Sequence, residues 1–194
     1  MFLKKLIKVL FMVENNILQN LEIIELNDST MELISSFDCG FTELKDFLVE
    51  DSLFQTKQSV NKTYLWVLKD NNQLVAYATV SVDAIVLNTR MRSMMTKKGI
   101  NYKSLPALKI GRLAVRKGFT GKGIGKIMLG FAMGLVDDIN RKAGCRFILV
   151  DSKNYLDSEG KNPVDFYLKS GFSPIKEIRG RSVPMFLDTM NVIK

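Results

Sequence analysis

Histidine is absent from this 194-residue chain. That absence removes Ser-His-Asp and Cys-His nucleophile pairs, along with every zinc site built on imidazole. Any proton transfer falls to tyrosine, a carboxylate, lysine, cysteine or water. Cysteine is scarce as well. Cys39 and Cys145 stand far apart, without the paired spacing of a metal site or a disulfide framework, which points to a reducing compartment, the cytoplasm. No metal site is expected. No apolar run reaches the roughly 18 residues of a membrane span. Internal repeats and low-complexity linkers are missing too, so residues 21–194 are expected to form a single α/β domain.

The composition that remains is that of a core-forming chain, 46% hydrophobic and 25% charged. Lysine and arginine outnumber aspartate and glutamate by 28 to 20, for a net charge of +8. That surplus suits a polyanionic partner, and it equally suits plain solubility. The opening "MFLKKLIKVLFMV" has its apolar run broken by Lys8 and lacks a small-residue cleavage site. It reads as a basic amphipathic extension over residues 1–20, with Met12 as an alternative start.

Periodicity orders the rest. "LEIIEL" alternates as a strand, and Asn27, Asp28 and Ser29 offer caps for a short helix. A second helix is expected from about Phe41, with Leu44, Phe47, Leu48 and Leu53 on one face. "TYLWVLKD" and "QLVAYATVSVDAIVL" read as strands joined by an Asn71-Asn72 turn, followed by a basic, irregular connection, "NTRMRSMMTKKGINYKSLP". Next come a strand at Ala107–Val115, a glycine loop, a long helix to about Lys142 and a strand at Cys145–Ser152. Ile124, Ile127, Met128, Phe131, Leu135 and Ile139 recur at steps of three and four along that helix. Asn162, Pro163 and Gly171 mark the start and end of a later short helix, ahead of a terminal strand around "VPMFLDTMNVI".

The loop "TGKGIGKIML" carries glycine at 121, 123 and 125 immediately before the long helix. Unpaired N–H groups and the helix dipole make such a place an anion grip. A triphosphate P-loop is excluded, because counting from Gly118 to Gly123 puts Ile124 where lysine is required. The dinucleotide fingerprint fails at Lys126 when counted from Gly121 and at Met128 when counted from Gly123.

The same stretch is similar to the pyrophosphate loop of the GNAT acetyltransferases, Gln/Arg-x-x-Gly-x-Gly/Ala. Gly123, Ile124 and Gly125 fall in register, and Thr120 stands where the family has Gln or Arg. "GRLAV" before the loop and "NPVDFYLKSGFSPI" late in the chain resemble the family's flanking motifs. The upstream "FDCGFTELKDFL" and "TYLWVLKDNNQLVAYATVSVDAI" resemble the subgroup that includes toxins of toxin-antitoxin pairs. The resemblance implies a mixed, mostly antiparallel sheet of six to seven strands flanked by helices on both faces. It implies direct transfer from acetyl-CoA to a primary amine, with the amino group of aminoacyl-tRNA as the toxin-type acceptor. A small-molecule amine, a protein amino group, or a non-catalytic acetyl-CoA or RNA-binding role stays open. Leu113, Ala114 and Val115 would pair with the pantetheine arm. Thr120, Gly121, Lys122, Gly123, Ile124, Gly125 and Lys126 would hold the pyrophosphate, and Asn154 would touch the cofactor arm. Tyr167 would be the acid. Asp151, Glu43 or water is left as the base. The implied partners are acetyl-CoA, tRNA, a small antitoxin and a second copy of the chain. Arg90, Arg92, Lys97, Lys98 and Lys103 gather in one connection.

Overall fold

The computed structural model describes residues 16–156 and 160–192. The first fifteen residues of the expected basic extension, Met12 among them, lie outside the described residues. A short helix, α1 (Asn16–Gln19), leads into β1 (Leu21–Glu25). Asn27 then opens a tight turn: its side chain accepts from the Ser29 N–H at 2.9 Å, while its own N–H donates to Thr30 Oγ1 at 2.9 Å. That turn feeds α2 (Met31–Ile34).

The helix expected from Phe41 is three pieces: α3 (Thr42–Asp46), a π turn (Phe47–Asp51) and α4 (Ser52–Lys57). After it come β2 (Lys62–Leu68) and β3 (Leu74–Val86), reversed at Asn72, whose φ of +55° asparagine tolerates. The remaining elements are α5 (Thr89–Thr96), β4 (Ser104–Val115), α6 (Ile124–Asn140), β5 (Phe147–Lys153), α7 (Pro163–Lys169), β6 (Ser173–Pro174), β7 (Ser182–Asp188) and α8 (Thr189–Val192).

Seven strands form one sheet in the order β1-β2-β3-β4-β5-β7-β6. The β1–β2, β2–β3, β5–β7 and β6–β7 pairs are antiparallel, whereas β4–β5 is parallel. This is the mixed, mostly antiparallel sheet implied by the resemblance.

Contacts divide the described chain into two compact units. The first takes the residues up to Ser81 together with Gly111–Phe131. Within it β2 is covered on both faces, because alternate side chains of a strand point opposite ways. Leu65 and Val67 join Leu26, Ile34, Phe37 and Leu48, while Trp66 and Leu68 join Leu18, Ile124 and Met128. The second unit takes Val82–Ile110 and the residues from Ala132 onward. Its core sets Met91 and Met95 of α5 against Phe147 and Leu149 of β5. Arg146 makes a bidentate pair with Asp188 at 3.0 and 2.8 Å, tying the start of β5 to the end of β7.

Two expectations are corrected. The basic connection after β3 contains α5, because Asn88 accepts from the Met91 N–H at 2.9 Å and Met91 and Met95, one turn apart, are buried. The terminal strand stops at Asp188. There Thr189 turns its N–H and hydroxyl onto the Arg146 carbonyl, at 3.1 and 2.7 Å, and the chain coils into α8.

Candidate active site

The first unit carries the candidate anion cradle. On β4, Ala114 is buried beside Phe37 and Phe47, while half-buried Leu113 and Val115 pack with Trp66 and Ile124. These side chains serve the core, and one edge of β4 is hydrogen-bonded to β3. The ladder to β5 runs from Ala107 to Ile110, so it does not use the backbone groups of Leu113, Ala114 and Val115. Past the strand, Arg116 N–H donates to Val75 O at 2.8 Å and Lys117 N–H to Asp38 O at 2.9 Å, fixing the approach to the loop.

Gly121 and Gly123 have φ of +75° and +87°. A β-carbon at Gly123 would meet Leu18 Cδ1 at 3.7 Å, an ordinary contact, so glycine is needed there for its backbone angle. Ile124, 1% exposed, pins the first turn of α6 into the core. In that first turn Lys126 and Ile127 donate their N–H groups to Gly123 O at 3.0 and 3.3 Å, while those of Ile124 and Gly125 stand at the helix start, where no carbonyl lies one turn earlier. Together with the helix dipole they suit a pyrophosphate. Lys122 sits over the Phe119 ring at 4.8 Å, and Lys126 is exposed. Half-buried Thr120 lies at the entrance to the loop.

In the second unit, Tyr167 is buried in α7 between Phe166 and Phe172, edge to face at 5.1 and 5.2 Å. Burial pushes its phenol well above a tyrosine's ordinary value, so the hydroxyl keeps its proton at neutral pH. Asn162 caps α7 by accepting from the Val164 N–H at 3.0 Å, and Pro163 fills the first helical position. Asn154 braces this cap: its Oδ1 accepts from Asn162 at 3.0 Å and its Nδ2 donates to Gly180 O at 3.0 Å. Gly171, at φ +90°, closes the helix. The structure thus joins Asn154 to the helix that carries Tyr167.

Of the base candidates, Asp151 pairs with Lys109 at 2.8 Å, and Glu43 is exposed. One feature has no signature in the sequence. In the first unit a cavity of about 200 Å³ lies among Phe47, Asp51, Gln55, Asn61 and Arg112, residues brought from the π turn, α4, the β2 approach and β4.

The model of a family described as acetyltransferase (GNAT) domain matches residues 61–174. The chain belongs to the GNAT acetyltransferase family.

As a whole, this acetyltransferase is similar to bacterial toxins of known structure. A tyrosine-to-phenylalanine mutant of KacT is 26% identical, at a TM-score of 0.73, with 90% of this chain and 98% of that one covered. AtaT complexed with acetyl-methionyl-tRNAfMet is 24% identical, with a TM-score of 0.70 and coverage of 89% and 97%. A tyrosine-to-phenylalanine mutant of AtaT, bound to acetyl-CoA and the C-terminus of the antitoxin AtaR, is 21% identical, with a TM-score of 0.68 and coverage of 89% and 96%. Among the described residues, no helix of the acetyltransferase is long and apolar enough to cross a membrane.

Proposed function

We propose that this acetyltransferase moves the acetyl group of acetyl-CoA onto the α-amino group of aminoacyl-tRNA. The observation that carries the acceptor is the basic run of the second unit. Arg90, Arg92, Lys97, Lys98 and Lys103 are all exposed and make no ion pair among the described residues. Basic residues elsewhere are partly neutralised, Lys117 by Asp38 and Arg141 by Asp137 and Asp138. A run left unpaired matches a phosphate backbone, and Tyr102 beside it, 69% exposed, offers a stacking face. The toxin relative AtaT, seen with an acetylated charged tRNA, supports the same acceptor.

Acetyl-CoA, when bound, supplies an activated acyl group whose carbon the amine attacks as the carbon–sulfur bond breaks. The backbone donors of residues 120–125 would hold its pyrophosphate, with the side chains of Lys122 and Lys126 adding charge. Leu113, Ala114 and Val115 would align the pantetheine arm as an added strand, and the Val115 N–H would polarise the carbonyl. Tyr167 would offer its proton to the departing sulfur. The amine gives up one proton as the N–C bond forms and the sulfur takes one, so the reaction balances without a redox partner. Asn154 and Asn162 act by holding the Tyr167 helix. We place the catalytic domain at residues 21–194. A small antitoxin is the expected protein partner, as in the complex of AtaT with the antitoxin AtaR.

The test is transfer of labelled acetyl groups to bulk charged tRNA, with a panel of free amines and peptides in parallel. Label on charged tRNA, lost after deacylation, supports the reading. Label confined to amines or peptides replaces the acceptor. Acetyl-CoA binding without any transfer replaces the enzyme by a binding module.

A further inference from the structure

We infer that Asp151 is the base for the acceptor amine: it pairs with the incoming α-ammonium and takes its proton, on the face of β5 opposite the Tyr167 helix. This inference rests on the aminoacyl-tRNA reading above.

Neighbouring side chains of a strand point to opposite faces, so β5 has two distinct sides. Phe147 and Leu149 point to one of them, where they pack with Met91 and Met95 of α5. Asp151 is the next residue on that side. Ile148 points to the other side, in register with Leu187, which a β-carbon at Gly171 would meet at 3.5 Å. Gly171 closes α7, and α7 packs on β5, so the helix of Tyr167 covers this second side. The acid thus belongs to one face and Asp151 to the other. Arg90 and Arg92 of the basic run lie on α5, so a charged tRNA held there brings its amine to the Asp151 face.

The position along the strand matters as much. The parallel ladder with β4 ends at Ile110 and Val150, so from Asp151 onward that edge of β5 has no ladder partner. Lys109, level with Leu149, holds Asp151 Oδ2 at 2.8 Å and lies 3.9 Å from Asp83 Oδ2. This pairing orients the carboxylate and still leaves it 49% exposed, with lone pairs for a second cation. Around it stand Lys109 and, beyond that, Asp83; Lys153 follows on the same side of β5, Pro184 lies opposite on β7, and α5 presents Met91 and Met95.

An α-ammonium has no lone pair with which to attack. Asp151 takes one proton from it and passes that proton to water through its exposed side. The neutral amine then forms the N–C bond, and the further proton it sheds, again to Asp151, balances the one Tyr167 gives to sulfur. A base and an acid on opposite faces suit direct transfer, because the attacking nitrogen and departing sulfur meet at one carbon.

The experiment measures kcat/KM for acetyl transfer to bulk charged tRNA from pH 6 to 8.5 in the wild type, Asp151→Asn and Asp137→Asn. Asp137 pairs with Arg141 at 2.9 Å on α6 and supplies an exposed ion pair away from β5. Acetyl-CoA affinity by calorimetry shows that each variant is folded. With the carboxylate present the ammonium is the form used, so the wild-type rate stays nearly flat below the amine's pKa, about 7.7–8.0 for an α-amino group. Asp151→Asn can use only amine that is already neutral. Its deficit is expected to be smallest at pH 8.5 and to grow about tenfold per pH unit below that pKa, a further 50- to 100-fold or so by pH 6. Asp137→Asn is expected to match the wild type. No deficit in Asp151→Asn, a deficit of one size at every pH, or an equal loss in Asp137→Asn overturns the inference and leaves the aminoacyl-tRNA reading standing. No transfer to charged tRNA by the wild type overturns both.

Discussion

Gly123→Ala is the sharpest probe of the cradle, because Gly118 provides a matched control. Both glycines hold positive φ, +87° and +78°. A β-carbon at Gly118 meets nothing within 4 Å, and one at Gly123 touches Leu18 at 3.7 Å, so neither substitution creates a clash. Each costs what a left-handed backbone costs an L-residue, about 1–2 kcal/mol. For a chain of this size that lowers Tm by about 2–4 °C per kcal/mol. At 118 the loss is one of stability alone. At 123 the alanine also draws the loop away from positive φ, turning N–H groups off the phosphate site. Losing one charge-assisted bond of about 1.5–3 kcal/mol weakens acetyl-CoA binding by about 10- to 150-fold. Thermal melts and isothermal titration of both variants separate the two effects. Equal acetyl-CoA affinity in Gly123→Ala, Gly118→Ala and the wild type refutes the cradle.

Tyr167→Phe should lower kcat by about 10²–10⁴-fold with little change in acetyl-CoA affinity or Tm, since the ring keeps its contacts with Phe166 and Phe172; equal turnover removes Tyr167 from the mechanism. Asn162→Ala should cost about 1 kcal/mol through the lost cap, measured by urea unfolding, whereas Asn162→Asp keeps the cap acceptor, gives up the bond to Asn154 and should cost less. Burial raises the pKa of both Tyr77 and Tyr167, while the unfolded phenols ionise near pH 10. The stability this provides is whole below about pH 10 and is lost as pH rises further, by up to about 1.4 kcal/mol per pH unit for each tyrosine. Urea titrations between pH 9 and 11 should show a shallower fall in Tyr167→Phe, and an identical slope would count against a buried neutral phenol.

The elements most legible in the sequence were those specified by neighbours in the chain. The Asn71-Asn72 reversal, the Asn162-Pro163 helix start, Gly171 and the apolar stripe of α6 rest on contacts within a few residues. α5 was readable in principle from Asn88 and the Met91/Met95 spacing, but its arginines and lysines hid a two-methionine face. The π turn had no such signature, because one extra residue in a turn is stabilised by what it packs against.

The sequence by itself excluded histidine chemistry and, by the spacing of its glycines, the triphosphate and dinucleotide loops. Those conclusions depend on which atoms exist and on angles that single residues can adopt, so no fold was needed. Only the tertiary structure decided that Asn154 braces the Tyr167 helix through Asn162 and Gly180, and that Arg112 and Asn61 line one cavity. These depend on hydrogen bonds and packing between residues distant along the chain, and no local pattern encodes which of many polar side chains will end up facing each other.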